Sequence, residues 1–498
     1  MTATQRSPDS ASGGSTTSFE QLRHRTGLVL GPIAFVVVLV FPMESLSPEA
    51  HRLAAVLTLV IIFWVTEALP LAVTALLGPT LAVMLRVAPA GEAFAPMAHP
   101  LIFLFIGSFI LAQALFVHRV NERIAHSVLS WKMIGARPGR ILVAYGVLAA
   151  FLSAWMSNTA TAAMLVPIGI SLVAFMESEN AVPRSYGTAL MLMTAYGCSL
   201  GGMATPVGTP PNLIAIGMLG ERLDMHITFV DWMRLAAPVT VVLMTIACVY
   251  LTRVGRAGVR EIAGVEQIIA DRKKALGSWK PGERNAIVAC GVTVVLWVGP
   301  GLLPLLLGRE HPFVQAVVAS VPEAVAALIG VVVLFVLPIS ATQRSTITWR
   351  QASQIDWGTI LLFGGGLALG SLSASTGLAL AMGETITGWL PTDAIVPLTF
   401  ASALFTVILS EAMSNTAATN IAIPIVISIA QAAGVDPVVP AVAAALSASV
   451  AVVLPVSTPP NAIVYASGRV PITQMIKYGV LFDVVAVLIV PAMVLMLV

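Results

Sequence analysis

Long apolar stretches joined by short polar links run along almost the whole chain. Runs near 28–44, 52–69, 71–88, 100–118, 187–219, 233–252, 286–307, 321–338, 357–380, 438–468 and 477–497 predict eleven crossing helices, since about 20 apolar residues span a bilayer. Two other apolar stretches, 141–176 and 395–432, carry a polar break at their middle. Their arms are about 16 residues each, short for a crossing, and predict helical hairpins that enter and leave on one side. Such irregular backbone is tolerated at membrane depth only where protein or a wet cavity surrounds it.

Composition agrees with that pattern. Of 498 residues, 57% are hydrophobic and 10% charged, against about 25% charged in an ordinary soluble domain. So little polar material cannot cover a soluble particle of this size, and the fold expected is an all-α polytopic membrane protein. A net charge of +2 gives no footing for a nucleic-acid partner. Cys198, Cys248 and Cys290 each sit in an apolar run without CxxC or Cys/His spacing and read as small core hydrophobes. Residues 1–27 read as a disordered cytoplasmic tail. The apolar run after Arg23 and Arg25 lacks a small-residue cleavage site, so residues 28–51 are expected to hold a retained first transmembrane helix.

Lys and Arg sort by side. With the N-terminus in the cytoplasm and both hairpins returning to their own side, 21 basic residues fall in the cytoplasm. Only Arg52, Arg86, Arg222, Arg234 and Arg309 fall outside. Cytoplasmic loops carry such an excess, which supports a cytoplasmic N-terminus for a multi-pass protein expected in the inner (plasma) membrane. The longest polar stretch, 253–285, holds eight basic residues and divides the chain in two.

The halves repeat each other. Ser157-Asn158-Thr159-Ala160 returns 257 positions later as Ser414-Asn415-Thr416-Ala417, with Ser153 matched by Ser410 and Met156 by Met413. Pro206-Val207-Gly208-Thr209-Pro210-Pro211-Asn212 returns as Pro455-Val456-Ser457-Thr458-Pro459-Pro460-Asn461. Units at 52–252 and 286–498 would each hold five crossings and one hairpin. Five is odd, so the second unit enters from the opposite face and the repeats are inverted. In secondary transporters built this way the substrate site lies between the repeats near midplane.

The motifs suit that site. A helix broken inside the membrane leaves unpaired N–H groups at one new end and unpaired C=O groups at the other. The N-terminal end attracts anions and free carbonyls suit a hard cation. Asn and Thr add amide and hydroxyl groups without a buried full charge. A Pro-Pro pair breaks the helix that carries it. One copy of either motif could be an ordinary turn or kink; two copies of both, deep in apolar runs, point to a site.

Twin Ser-Asn-Thr hairpins, each followed by a Thr-Pro-Pro break, resemble the divalent anion/sodium symporter family, as does the run from Glu67 to Leu77. The likeness covers about residues 28–498. It implies an elevator-type fold with two discontinuous helices, a homodimer, and Na+-coupled symport of a small divalent anion, first a C4-dicarboxylate such as succinate. A dicarboxylate exchanger or a citrate or sulfate carrier is the alternative. It further implies Na+ as the coupling ion, held by Ser153, Ser157, Asn158 and Gly208 in one site and by Ser410, Met413, Asn415 and Ser457 in the other. The anion would touch Asn158, Thr159, Asn415 and Thr416, with Thr209, Pro210, Thr458 and Pro459 lining the pocket. Ala417-Ala418-Thr419 departs from the family's usual Ala-Thr, outside the coordinating triplet.

Glu411 and Asp483 are intramembrane carboxylates, functional candidates by default or satisfied structural groups. His118, Arg119 and Arg123 suit an amphipathic cytoplasmic arm. No HExxH, GxSxG or clustered His/Asp set sits at membrane depth, so an enzyme is not expected, nor a cofactor beyond Na+. A channel is disfavoured by the inverted hairpins. No Lys or Arg lies near either Ser-Asn-Thr motif, so anion capture must rest on helix ends, neutral groups and co-bound cations.

Overall fold

The computed structural model describes residues 16–179, 182–308, 310–387 and 394–498, which form helices and turns but no strand. The first 15 residues of the expected tail, including Arg6, and Arg309 lie outside the described residues. The first half contains α1 (Thr16–Val40), α2 (Pro48–Thr66), α3 (Leu71–Met84), α4 (Ala90–Phe94), α5 (Pro100–Val117) and α6 (Val120–Leu129). Its hairpin is α7 (Pro138–Ser153) and α8 (Asn158–Ser178). The first Pro-Pro break separates α9 (Arg184–Met203) from α10 (Pro210–Leu223), and α11 (Phe229–Val254) completes the half. α12 (Val265–Ala275) lies in the linker. The second half runs through α13 (Pro281–Leu307), α14 (Pro312–Ser320), α15 (Glu323–Val336), α16 (Trp349–Ala352), α17 (Trp357–Ser375) and α18 (Leu378–Thr387). Its hairpin is α19 (Ile395–Ala412) and α20 (Asn415–Ala432), followed by α21 (Val438–Ala448), α22 (Pro459–Ala466) and α23 (Ile472–Leu497).

α1 begins well before residue 28. Residues 16–27, expected in the tail, are its first turns, because an established helix extends cheaply; Arg23 there finds Glu67 at 3.1 Å.

Length alone misjudges the spans. Nine described helices are long and apolar enough to cross, and α14 with α15, bent by 66°, makes a tenth. That set includes α8, at 21 residues, and α19, at 18, which are hairpin arms longer than the expected 16. It omits the broken pairs α9/α10 and α21/α22 and the short α3. Contacts identify the first hairpin instead. Tyr186, at the start of α9, donates its hydroxyl to Pro138 O at the start of α7. At the other end of α9, a Cβ on Gly201 would meet the Ala150 backbone. Thr205, inside the break, donates its hydroxyl to Ala154 O. α8 then returns, bringing Val173 and Glu177 beside Gly187 near the start of α9. The tip therefore reaches the depth of the break and turns back.

The halves interlock. α10 packs on α20 and α21, while α22 packs on α8 and α9. Arg222, on the last turn of α10, donates to Pro424 O at 3.2 Å and Ser428 Oγ at 3.0 Å on α20, and to Gly370 O at 3.0 Å on α17. Just beyond α22, Arg469 pairs with Glu177 on α8, and its carbonyl accepts from Thr188 Oγ1 at 2.8 Å. Each broken helix is thus clasped to the opposite half's hairpin.

α6 is the expected amphipathic arm, but Arg123 is buried rather than solvated. It donates to Glu283 at 2.9 Å, with side chains 8% and 6% exposed. It also donates to the carbonyls of Leu276, Gly277 and Ser278 and stands 4.7 Å from the Trp279 ring. The linker is thereby held against the arm.

Candidate functional site

The two hairpin tips are built alike. Ser157 and Ser414 are N-caps with nearly the same backbone (φ −61°, ψ 141° and φ −64°, ψ 142°). Each hydroxyl accepts from the N–H three residues on, Ala160 or Ala417, at 3.2 Å. Ser caps satisfy one of the four N–H groups a helix start leaves free, and the remaining N–H groups and the helix dipole favour an anion there. Thr159 is exposed, Asn158 and Thr416 are half-buried and Asn415 is buried.

The two breaks are also built alike. Thr209 and Thr458 are extended N-caps of α10 and α22, with Pro210 and Pro459 at the first helical position, where a missing N–H costs nothing. Asn212 and Asn461, which the sequence marked only as part of the helix-breaking motif, hold the unwound segments. Asn212 Nδ2 donates to Gly202 O at 2.9 Å and Thr205 O at 2.7 Å. Asn461 Nδ2 donates to the equivalent Ala451 O at 3.2 Å and Leu454 O at 3.0 Å.

Beside each tip lies a cluster of oxygens. Asn158 Oδ1 sits 2.5 Å from Ser153 Oγ, 3.1 Å from Cys198 O and 3.3 Å from Gly208 O. With its nitrogen turned inward, the amide's two N–H groups face these three acceptors. With its oxygen inward, only the Ser153 hydroxyl can supply a proton, and carbonyl oxygens otherwise face one another. That donor set fits a hard cation, which prefers oxygen ligands. A Cβ on Gly208 would come 2.5 Å from Gly202 O and 3.0 Å from Ser153 O, so further backbone oxygens crowd the spot. In the second half, Ser410 Oγ lies 2.7 Å from both Asn415 Oδ1 and Ala448 O, and its one proton can serve only one of them.

The expected residues are therefore partly gathered. Ser153, Asn158 and Gly208 share one cluster, with Ser157 capping the same tip; Ser410 and Asn415 share the other, with Met413 extended just before Ser414. Ser457 bonds instead to Glu411, at 2.6 Å. Pro459 is exposed, while Thr209 and Thr458 are buried. The Cys198 and Ala448 carbonyls were missed, because every helical residue carries a carbonyl and its identity does not mark the one that faces a tip. The glycine pair Gly201-Gly202 was the available signal.

Residues 23–497 match the family described as the sodium:sulfate symporter transmembrane region. The chain is 30% identical over 477 residues to the sodium-dependent dicarboxylate transporter SdcS of Staphylococcus saprophyticus, covering 93% of this chain and 89% of that protein. It is 31% identical over the same length to SdcS of Staphylococcus aureus strain bovine RF122 / ET3-1, with the same coverage. Among solved structures it resembles the YdaH transporter of Alcanivorax borkumensis, at a TM-score of 0.56 and 15% identity over 97% of this chain and 98% of that one. The MtrF efflux pump of Neisseria gonorrhoeae matches at 0.56 and 16% over 95% and 94%. These two likenesses concern the fold. Together with the paired tips and breaks, the sequence matches establish that the chain is a membrane transporter, not an enzyme, and belongs to the divalent anion/sodium symporter family, matched here as sodium:sulfate symporters.

Proposed function

We propose that the protein couples inward Na+ flow to uptake of a C4-dicarboxylate such as succinate. The observation that carries this reading is the pair of oxygen clusters, Ser153–Asn158–Gly208–Cys198 and Ser410–Asn415–Ala448, each beside the capped start of a hairpin's second arm. Sodium bound in the clusters would offset the charge of a dicarboxylate held by the first N–H groups of α8 and α20 and by Asn158, Thr159, Asn415 and Thr416. Ser157, Met413 and Ser457 complete the two Na+ shells, and Thr209, Pro210, Thr458 and Pro459 line the anion pocket. Among the described residues no Lys or Arg side chain bonds to either tip, so the cation is needed for charge balance. The SdcS relatives, named as sodium-dependent dicarboxylate transporters, support the pairing of substrate and ion.

In this reading the hairpins and broken helices form one cargo body that slides as an elevator against α1–α5 and α13–α17, in a homodimer. The N-terminus lies in the cytoplasm, and 52–252 and 286–498 are the two repeats. Proteoliposome uptake of succinate tests it: an imposed inward Na+ gradient drives accumulation, and uptake indifferent to Na+ refutes the coupling. Counterflow against unlabelled anions identifies an exchanger, and competition by citrate or sulfate identifies another substrate.

A further inference from the structure

Glu411 stands three residues before Ser414, in the arm leading to the second tip, where the first half has Ala154. Its carboxylate collects the donors freed by the second break. Val453 N–H donates to Oε1 at 2.8 Å, Leu454 N–H to Oε2 at 3.0 Å and the Ser457 hydroxyl to Oε2 at 2.6 Å. Asp483 on α23 is a second carboxyl in this neighbourhood, buried and with one oxygen lacking a hydrogen-bond partner. Among the described residues no carboxylate serves the first break in this way. There Thr205 Oγ1 donates to the backbone carbonyl of Ala154, and the side chain contributes a methyl group. Two frameworks alike in caps, breaks and Asn ties therefore differ by one charge. That charge sits between Ser410 and Met413 in sequence and touches Ser457, three of the residues assigned to the second cation site.

We propose that Glu411 is a positioning residue for the second cation site. Through the unwound segment 453–457 it fixes the backbone of that site before any ion arrives, and its charge makes the site the tighter of the two, so that it fills first. This rests on the Na+-coupled reading above. The physical basis is that hydrogen bonds to an ionised acceptor are shorter and roughly twice as strong as neutral ones, and a nearby opposite charge is little screened in a buried setting.

Glu411→Gln keeps the shape and loses the charge. Measured as Na+-driven succinate uptake in proteoliposomes, it should raise the half-saturating Na+ concentration about tenfold, which is about 1.4 kcal/mol, while the maximal rate at saturating Na+ changes less than about threefold. Glu411→Asp should recover part of the Na+ affinity. Thr205→Val, which removes the corresponding bond in the first half without changing charge, should shift Na+ affinity far less than Glu411→Gln. A purely structural Glu411 would give a lower maximal rate or melting temperature at unchanged half-saturating Na+, and that result overturns the proposal. If Glu411→Gln does not fold, unchanged Na+ affinity in Glu411→Asp overturns it equally. Wild-type uptake that ignores Na+ would instead sink the coupled reading itself, a separate outcome.

Discussion

At the residue scale, the chemistry turns on side chains that finish what a broken helix leaves unfinished. Asn158 and Asn415 put an amide group into each cluster, 2.5 and 2.7 Å from a serine hydroxyl. Asn158→Ala and Asn415→Ala remove that amide while leaving the Ser caps intact. Each variant is expected to stay folded and to lose the Na+-dependent part of its thermal stabilisation. In the wild type, one ion at 100 times its dissociation constant adds about 2.7 kcal/mol by linkage, so the shift is measurable on purified protein. Asn212 and Asn461 play a different part. Each is buried and ties two carbonyls of an unwound segment. Asn212→Ala strands those carbonyls, and burying a polar group without its partner costs about 1–3 kcal/mol. A lower melting temperature is expected with or without Na+, which separates it from the Asn158 variant.

At the element scale, the hairpins depend on close backbone approach. Gly201 lets α7 lie against the end of α9, and a Cβ there would come 2.2 Å from Ala150 O and 2.3 Å from its Cα, both main chain that cannot step aside. Gly201→Ala should therefore push the tip off the break, cutting uptake to background and costing several kcal/mol, as overpacking of about 1–3 kcal/mol or more implies. Circular dichroism melting of the purified variant checks the second claim. On the α6 arm, Arg123→Ala takes away the guanidinium that pairs with buried Glu283, leaving that carboxylate only the Lys280 N–H, and breaking such a pair costs about 3–5 kcal/mol. The double variant with Glu283→Ala should lose less than the two single losses combined.

Much of this was legible in the chain. The duplicated Ser-Asn-Thr and Thr-Pro-Pro strings marked the tips and breaks because their caps and turns are local chemistry. The start of α1 and the lengths of α8 and α19 were not legible, since helix ends answer to distant partners such as Glu67 for Arg23. The burial of Arg123 was hidden too, because its partner Glu283 lies 160 positions away. The carbonyls of Cys198 and Ala448 carry no side-chain signal of their own.

At the scale of the whole molecule, an aromatic stack joins the first tip to the surrounding helices. Trp155 stacks on Phe229 at 6.2 Å between ring centroids, and Phe229 on Trp297 of α13 at 4.8 Å. If the hairpins and broken helices slide as one body past α13, this stack must part in every cycle. Cysteines placed at 229 and 297 in a chain freed of its natural thiols, then bridged by a short cleavable reagent, should halt uptake, and cleavage should restore it. Continued uptake in the bridged protein would contradict a sliding motion at that contact.

The crossed arginine clasps have a further consequence. Arg222 of the first half grips the second hairpin, and Arg469 of the second half grips the first. A lone half, released from its sibling by cutting the chain within 253–285, would present a guanidinium with nothing to hold and a hairpin with nothing holding it. It could regain both contacts only from the missing half, inserted in the opposite orientation. The linker keeps the two halves on one polypeptide, so each molecule carries its own antiparallel mate and does not have to find one in the bilayer.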